Sequence, residues 1–153
     1  PFDPNGAIFW NGRYHLFYIF QEDGNHYWGH ASSIDLLHWR SHPTALSVAD
    51  NDPDRGIFSG NAFIDTDGVP TIMYHGVSVG NCIAKSTDPM LEEWKKWEHN
   101  PIVPIPAEGT TEFGQYQSWD PHGWVEGSNR YAIFGGAKPA LMKGAAWNEL
   151  KYV

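Results

Sequence analysis

The apolar positions of this chain fall into short runs of aromatic and β-branched residues, separated by Gly, Asn and Asp. Runs of this kind are typical of β-strands joined by tight turns, and little of the chain has helical periodicity. Residues 7–20 predict a hairpin, because Asn11-Gly12 lies between two such runs and favours the positive φ of a type I′ turn. Residues 26–33 then predict a third strand, and residues 39–42 a short fourth strand.

The same order of strands and turns restarts twice along the chain. Aligned on their turns, Asp3, Ser59 and Asp120 occupy one position, at offsets of 56 (59 minus 3) and 61 (120 minus 59) residues. A repeat of this length with about four short strands per unit indicates a β-propeller. A β-sandwich is the alternative, but the three units share the positions of turn, strand and Trp, which favours the propeller. The second unit has predicted strands at 58–65, 69–75 and 81–86, the third at 124–126, 130–135, 140–142 and 147–153, and residues 98–117 form a long connector between them.

Three predicted blades are too few to close a ring. Propellers have about 4–8 blades, and an open ring leaves sheet edges unpaired. We therefore expect residues 1–153 to be part of a propeller domain within a longer chain.

A Trp follows the turn that leads to each predicted outer strand. The positions are Trp39, Trp94 or Trp97, and Trp147. Large aromatic side chains contribute strongly to cores, so we expect these residues to pack between or against the blades.

The composition favours a ligand that is neutral and rich in hydroxyl groups. Charged residues make up 18% of the chain, its formal net charge is −8, and aromatic residues make up 15%, with eight Trp. A nucleic-acid partner would need Lys and Arg for its phosphates, and a membrane helix would need roughly 18 or more apolar residues in a row, so neither is expected. Aromatic side chains can instead cover the apolar faces of sugar rings.

A metal or cofactor site is not expected from the sequence. The eight His lack tight ligand spacing, and the chain has no phosphate-binding loop and no Gly-x-Ser-x-Gly elbow. Most of the His are interpreted as hydrogen-bonding surface or strand residues. Cys82 is the single Cys, so no internal disulfide is possible, and we expect it to be a small buried residue.

Two carboxylates are candidates for one shared site. The innermost strand of each propeller blade lines the central channel, so Asp3, Ser59 and Asp120 are expected to meet at one of its mouths. Glycoside hydrolysis uses two carboxyl groups, which lie about 5–5.5 Å apart in retaining enzymes. An isolated Asp-Pro is more often a turn initiator, and we keep that interpretation for Asp52-Pro53 and Asp88-Pro89. The Trp residues expected nearby, where they would fit a sugar site, are Trp28, Trp119 and Trp124.

Five segments, which occur in order and span nearly the whole chain, carry sequence motifs of a known family. They are Asp3-Pro4-Asn5-Gly6, residues 9–18, 28–39 and 58–62, and Trp119-Asp120-Pro121. Together they resemble glycoside hydrolase family 32, the invertase, levanase and inulinase family. The resemblance implies a five-bladed propeller and a β-fructofuranosidase that acts on sucrose, levan or inulin with retention of configuration.

The resemblance also implies roles for individual residues. Asp3 would be the nucleophile that attacks the anomeric carbon of a fructofuranosyl unit, and Asp120 would hold fructose hydroxyls and stabilise the transition state. The residues implied to contact the substrate are Asn5, Trp28, Phe58 and Ser59, with Trp119 beside Asp120 as a further candidate. The family's general acid/base is a Glu in a Glu-Cys motif, which is expected after the third blade. No Glu-Cys occurs here, and Glu126 and Glu149 are poorly placed substitutes.

The chain departs from the family pattern at four places. Phe2 stands where the family usually has Asn, Ile19 where Gln is common, Gln21-Glu22 where Asn-Pro is usual, and Trp119 where Arg is usual. The change to Trp119 removes a fixed charge and a bidentate donor beside Asp120. The expected substrate is therefore a fructofuranoside or a similar furanoside rather than sucrose alone.

Two other functions stay open at this point. An arabinanase-like furanosidase of family 43 would invert configuration, with carboxyl groups about 6.5–9.5 Å apart. A non-catalytic carbohydrate-binding propeller would lack the acid, so a downstream Glu-Cys segment distinguishes an enzyme from a binding protein. An extracellular or periplasmic location is favoured over a cytoplasmic one, and the oligomeric state is open.

Overall fold

The computed structural model describes all residues from Pro1 to Val153 and consists of three antiparallel sheets. The first sheet contains β1 (Phe2–Trp10), β2 (Arg13–Glu22), β3 (Asn25–Ser33) and β4 (Trp39–Ser41). The second contains β5 (Ile57–Ile64), β6 (Pro70–Gly76), β7 (Gly80–Lys85) and β8 (Lys95–Lys96), with β9 (Val103–Pro104) also paired to β7. The third contains β10 (Pro121–Glu126), β11 (Asn129–Phe134), β12 (Ala140–Gly144) and β13 (Lys151–Tyr152), with a 3₁₀ turn at Trp147–Glu149. None of the chain forms a helix with the length and hydropathy that a membrane crossing requires.

The three predicted repeats are confirmed as four-stranded units, with shifts at their ends. The first strand begins at Phe2 rather than at residue 7, because Phe2 already pairs with β2. The connector at 98–117 contains β9, because Val103 pairs with β7. The predicted strand at 147–153 is a 3₁₀ turn followed by the two-residue strand β13.

The sheets stack face to face, so the second sheet is covered on both sides. All seven residues of β6 are buried. Ile72 and Tyr74 pack in a core shared with the first sheet, whereas Met73 between them packs in a core shared with the third. The alternation of a strand accounts for this, since successive side chains point to opposite faces. Cys82 is fully buried in the first of these cores, which confirms the prediction for it.

The repeated Trp positions differ in their surroundings. Trp147 is 4% exposed, and Trp94 and Trp97 are partly buried against the two cores. The expectation is wrong for Trp39, which is 43% exposed beside the edge strand β4. Trp39 and Trp94 make the same local hydrogen bond, from the indole N–H to the carbonyl three residues earlier. Trp94 also contacts Phe17 of the first sheet.

We expect Trp147→Ala to lower the free energy of unfolding by about 3–5 kcal/mol, a typical loss for a core Trp. Trp147 is buried against Phe63, and its indole N–H donates to Asp65 Oδ2 at 2.9 Å. Trp39→Ala is the matched control and should cost about 0.5 kcal/mol or less, as most surface changes do. Urea denaturation of both variants beside the wild type measures the two losses. Losses of equal size would contradict the different environments of the two residues.

Candidate active site

Asp3 lies in a bulge at the start of β1. The pairing of β1 with β2 shifts between Phe2 and Pro4, which leaves Asp3 without a partner in the sheet. Its φ is 49°, in the left-handed region that Asp tolerates better than most residues. A bulge re-aims a side chain and is common beside active sites. The bulge therefore lets the Asp3 side chain point in a direction that the regular alternation of the strand would not give it.

A second bulge follows between Asn5 and Ile8, and it contains Gly6. Gly6 has a φ of 63°, and a Cβ atom there would lie 2.9 Å from the ring of Trp28, so only Gly fits. Trp28 itself is fully buried, and its indole N–H donates to the Phe58 carbonyl at 2.9 Å. The buried position of Trp28 corrects the expectation from the sequence that it contacts a ligand. Trp28 packs against Gly6, donates a hydrogen bond to Phe58, and has no exposed surface that a ligand could contact.

The first strand of the second sheet is bulged in the same way. The pairing of β5 with β6 shifts between Ile57 and Gly60, in the segment that carries Ser59. The Ser59 hydroxyl donates to Asp3 Oδ2 across the interface of the first two sheets. Ser59 and Asp3, which are equivalent in the sequence repeat, thus meet where both first strands are bulged.

Asp120 reaches the same place from the third sheet. It directly precedes β10, whose regular pairing begins at Pro121. Burial raises the pKa of Asp120 to about 6, and the negative charge of the neighbouring Asp3 raises it as well. The structure therefore brings Asp3, Ser59 and Asp120 together at one end of the three first strands.

Two acceptor atoms at this site have no hydrogen-bond partner. Asp120 Oδ1 and Asn5 Oδ1 are both buried and both unpaired. The Asn5 side-chain amide is oriented by its other end, since Nδ2 donates to the Asp3 carbonyl at 3.0 Å. Most buried polar atoms in folded proteins are paired, so unpaired acceptors beside a carboxylate pair suit a ligand that donates hydrogen bonds. Hydroxyl groups of a sugar are donors of this kind.

An aromatic belt, formed by Phe2, His26, Phe58, Trp119 and His75, runs past the carboxylates. Successive ring centroids are 5.9 Å apart for Phe2 and His26, and 5.1 Å for His26 and Phe58. They are 6.0 Å apart for Phe58 and Trp119, and 5.1 Å for Trp119 and His75. Phe58 and Trp119 were expected near the site from the sequence, and Trp119 is 47% exposed.

His26 and His75 of this belt were missed by the sequence analysis. His75 is the next-to-last residue of β6, and Gly76 after it pairs with Ile57 at the start of β5. In an antiparallel hairpin the second strand ends where the first begins. The hairpin register was therefore the signal that would have placed His75 beside the site.

Trp124 is not part of the belt, which corrects the expectation from the sequence. Its ring stacks on Tyr131 at 5.0 Å. Trp124 is four residues after Asp120, and a strand advances about 3.3 Å per residue. Its neighbour Val125 packs in the core with the second sheet, so Trp124 points to the opposite, outer face of the third sheet.

The buried histidines form a separate cluster between the first two sheets. His15 Nδ1 and His30 Nε2 are 2.9 Å apart, and His30 stacks on His42 with ring centroids 4.3 Å apart. Burial lowers the pKa of His30 to about 3, with His42 and His15 contributing further. His15 and His30 lie in β2 and β3 and share a hydrogen bond, as predicted for strand residues. No group of three or more His, Cys, Asp or Glu side chains is arranged to hold a metal ion.

Comparison with known proteins identifies the class to which this fold and site belong. Residues 2–147 match the model of the glycosyl hydrolases family 32 N-terminal domain, and the chain belongs to this family. The resemblance seen in the sequence is thereby confirmed, as is the propeller of the five-bladed type.

The relatives have names of sucrose- and fructan-cleaving enzymes. β-Fructofuranosidase, insoluble isoenzyme 6, from Oryza sativa subsp. japonica is 37% identical in an alignment of 119 positions that covers 69% of this chain and 20% of the relative. Sucrose-6-phosphate hydrolase from Escherichia coli is 33% identical in an alignment of 153 positions that covers 90% of this chain and 30% of the relative. The crystal structure of fructan 1-exohydrolase IIa from Cichorium intybus superposes with a TM-score of 0.82 at 25% identity, over 99% of this chain and 31% of that chain. The chain thus spans about a fifth to a third of the length of these relatives.

The raised pKa of Asp120 predicts a pH-dependent effect of Asp120→Asn on stability. Because the folded-state pKa of about 6 lies above the usual Asp value of 3.8, stability linked to protonated Asp120 is full below pH 3.8 and is lost as the pH rises through about 6. The uncharged amide removes this loss. We expect the variant to melt above the wild type at pH about 7.5 and close to it at pH about 4.

Thermal melting at both pH values measures this effect, with Glu126→Gln as the control. Glu126 is an exposed carboxylate at the end of β10, so its amide variant should leave the melting temperature unchanged at both pH values. A gain for Asp120→Asn that is the same at both pH values would contradict the buried, ionised Asp120.

Proposed function

We propose that the protein hydrolyses β-fructofuranosides of the sucrose, levan or inulin type with retention of configuration. The observation that carries the proposal is the shared site of Asp3 and Asp120, with buried, unpaired acceptor oxygens on Asp120 and Asn5. The names of the relatives support the substrate class, since they include β-fructofuranosidases and a fructan 6-exohydrolase.

Asp3 is assigned as the nucleophile. Its Oδ2 accepts the hydrogen bond of Ser59, which fixes the carboxylate and leaves Oδ1 for the attack. A bond forms between Asp3 and the anomeric carbon while the glycosidic bond breaks, and the leaving oxygen takes a proton from a general acid. Water then attacks the anomeric carbon of the fructosyl–enzyme intermediate, gives its proton to the conjugate base of the same general acid, and releases fructose and free Asp3. Two displacements at one carbon retain its configuration.

Asp120 is assigned to stabilise the positive charge that develops on the fructosyl ring. With a pKa raised to about 6, it is mostly ionised at neutral pH. Its unpaired Oδ1 is suited to accept a hydrogen bond from a fructose hydroxyl, as is Asn5 Oδ1. A donor group of the substrate would give these buried atoms a hydrogen-bond partner.

The general acid is not supplied by the residues around this pair. Glu126 ends β10, several residues along the strand from Asp120, and Glu149 lies in the 3₁₀ turn. We propose that the acid is a Glu from a part of the protein beyond these three blades. Residues 1–153 would then be the first part of a larger propeller domain, and an extracellular or periplasmic location stays a prediction.

In the full-length protein we expect Asp3→Asn to lower kcat by about 10³-fold or more, because the amide is not a nucleophile. Asp23→Asn is a matched control, since Asp23 is an exposed Asp whose φ of 48° is close to that of Asp3. Fructose released from sucrose, inulin and levan is the measurement, with circular dichroism to check the fold. An Asp3→Asn variant that keeps wild-type turnover would exclude Asp3 as the nucleophile.

The first product distinguishes the proposed mechanism from the other hypotheses. NMR of the fructose released at early times should show the β anomer of the substrate. The opposite anomer would indicate an inverting furanosidase mechanism. Binding of fructosides without turnover by the full-length protein would instead indicate a carbohydrate-binding propeller.

We expect residues 1–153 alone to release fructose about 10²–10⁴-fold more slowly than the full-length protein, because general acid catalysis is missing. The same assay on both chains at equal concentration measures the difference. Comparable release by residues 1–153 would mean that the acid lies within them, and Glu126→Gln would then be the next variant to assay.

A further inference from the structure

We propose that Asn61 is a positioning residue for the carboxylate pair, because its side-chain amide fixes β10 on the second sheet and so sets where Asp120 lies relative to Asp3. This inference rests on the proposed function and adds to it a residue that acts through another residue rather than on the substrate. Asn61 lies in β5, two residues after Ser59. The strand that bonds Asp3 thus also carries the residue that bonds the third sheet.

The contact between Asn61 and β10 uses both ends of the amide. Asn61 Oδ1 accepts a hydrogen bond from the Gly123 N–H at 2.7 Å, and Asn61 Nδ2 donates to the Gly123 carbonyl at 2.8 Å. β10 pairs on one side only, with β11, so its other edge has backbone groups without a strand partner. The amide of Asn61 pairs with two of these groups as a neighbouring strand would. This fixes β10 along its own axis and in its distance from β5.

Gly123 lets β10 come close to the second sheet. A Cβ atom on this residue would lie 2.5 Å from Met73 Cε and 3.0 Å from Phe63 Cε1, so a side chain there would displace these neighbours or the strand. Gly123 is three residues after Asp120, and the pairing of β10 with β11 is regular from Pro121 onwards. A displacement of the paired strand at Gly123 therefore moves Asp120 as well.

The bulge in β5 explains why one strand contacts both neighbouring sheets at the site. Side chains two residues apart lie on the same face of a regular strand, as Asn61 and Phe63 do towards the third sheet. Ser59 would share that face, but it lies in the bulge and bonds Asp3 of the first sheet instead. β5 therefore holds the Asp3 carboxylate through Ser59 and the strand that follows Asp120 through Asn61.

The separation of the two carboxylates matters for the proposed reaction. The carboxyl groups of a retaining glycosidase lie about 5–5.5 Å apart. A displacement of about 1 Å at a catalytic group can lower a rate by about 10²-fold. A residue that fixes Asp120 relative to Asp3 therefore affects turnover without touching the substrate.

Ser118 supplies a second, independent contact between the Asp120 segment and the second sheet. Its buried hydroxyl group donates to the Val103 carbonyl at 3.1 Å and accepts from the Asn81 N–H at 3.1 Å. Neither this contact nor the pairing of β10 with β11 involves Asn61. Loss of the Asn61 hydrogen bonds should therefore move Asp120 rather than unfold the third sheet.

The test compares Asn61→Ala with Asn100→Ala in the full-length protein. Asn100 is the matched control, because its half-buried amide makes the same pair of backbone hydrogen bonds, with the N–H and carbonyl of Ile83 at 2.9 and 2.8 Å. Asn100 bonds β7 rather than β10. We expect kcat for sucrose and inulin to fall about 10–100-fold in Asn61→Ala and by less than about twofold in Asn100→Ala. Equal losses of kcat would overturn the inference.

Melting of double variants tests the position of Asp120 without turnover. Asp120→Asn is expected to raise the melting temperature more at pH about 7.5 than at pH about 4, because ionised Asp120 is buried near Asp3. In the Asn61→Ala background a displaced Asp120 is better hydrated or further from Asp3, so this difference should fall by about half or more. In the Asn100→Ala background the difference should persist. An undiminished difference with Asn61→Ala would overturn the inference.

The two measurements separate this inference from the proposed function. A pH-dependent difference that is lost only with Asn61→Ala would support the positioning role even if the wild type hydrolysed no fructoside. Hydrolysis by the wild type, with equal effects of Asn61→Ala and Asn100→Ala, would leave the function and exclude the role of Asn61. If Asn61→Ala does not fold, Asn61→Ser takes its place, because the shorter hydroxyl group cannot make both hydrogen bonds to Gly123, and the same outcomes decide.

Discussion

The hydrogen bond from Ser59 to Asp3 is the contact on which the site depends, and it requires bulges in two strands at once. Regular strands would send these side chains into the alternation of their sheets, because a strand offers only two faces. At each bulge one residue is outside the regular pairing, so its side chain can point towards the neighbouring sheet. Beneath them Gly6 lies against Trp28, whose indole N–H donates to the Phe58 carbonyl. The packing of the first two blades and the placement of the carboxylate are therefore set by the same few contacts.

This arrangement makes the ionised form of Asp120 less stable than that of an exposed Asp. Its carboxylate is partly buried near another carboxylate, and both effects disfavour its ionised form. Burial also leaves Asp120 Oδ1 and Asn5 Oδ1 unpaired. Hydroxyl groups of a substrate would pair the free acceptor oxygens, and a positive charge that develops in the transition state would offset the unfavourable ionisation of Asp120. An interaction that forms mainly in the transition state favours it over the ground state, which is the condition for catalysis.

The sequence was sufficient for the repeats, because turn pairs such as Asn11-Gly12 and two-residue alternation are local signals. It also placed Asp3, Ser59 and Asp120 at equivalent positions, which the fold brings together. It could not show that Trp28 is wholly covered, since burial depends on how closely Gly6 and Phe58 approach from other strands. The exposure of Trp39 had a similar cause. Its local hydrogen bond matches that of Trp94, but Trp94 also packs on Phe17 of another sheet, a contact that no local signal predicts.

The two parts of the site differ in how they are held, and this bears on specificity. Asp3 and Ser59 lie in bulges between paired residues of β1 and β5, whereas the surface beside Trp119 is built largely from the connector, in which only β9 pairs with a sheet. A connector tolerates sequence change better than a paired strand does, because fewer backbone hydrogen bonds depend on it. Sequence change in the connector would therefore alter the surface beside Trp119, while the bulged strands keep Asp3 and Ser59 in place. The same scaffold can thus hold its carboxylates fixed while the surface beside them varies.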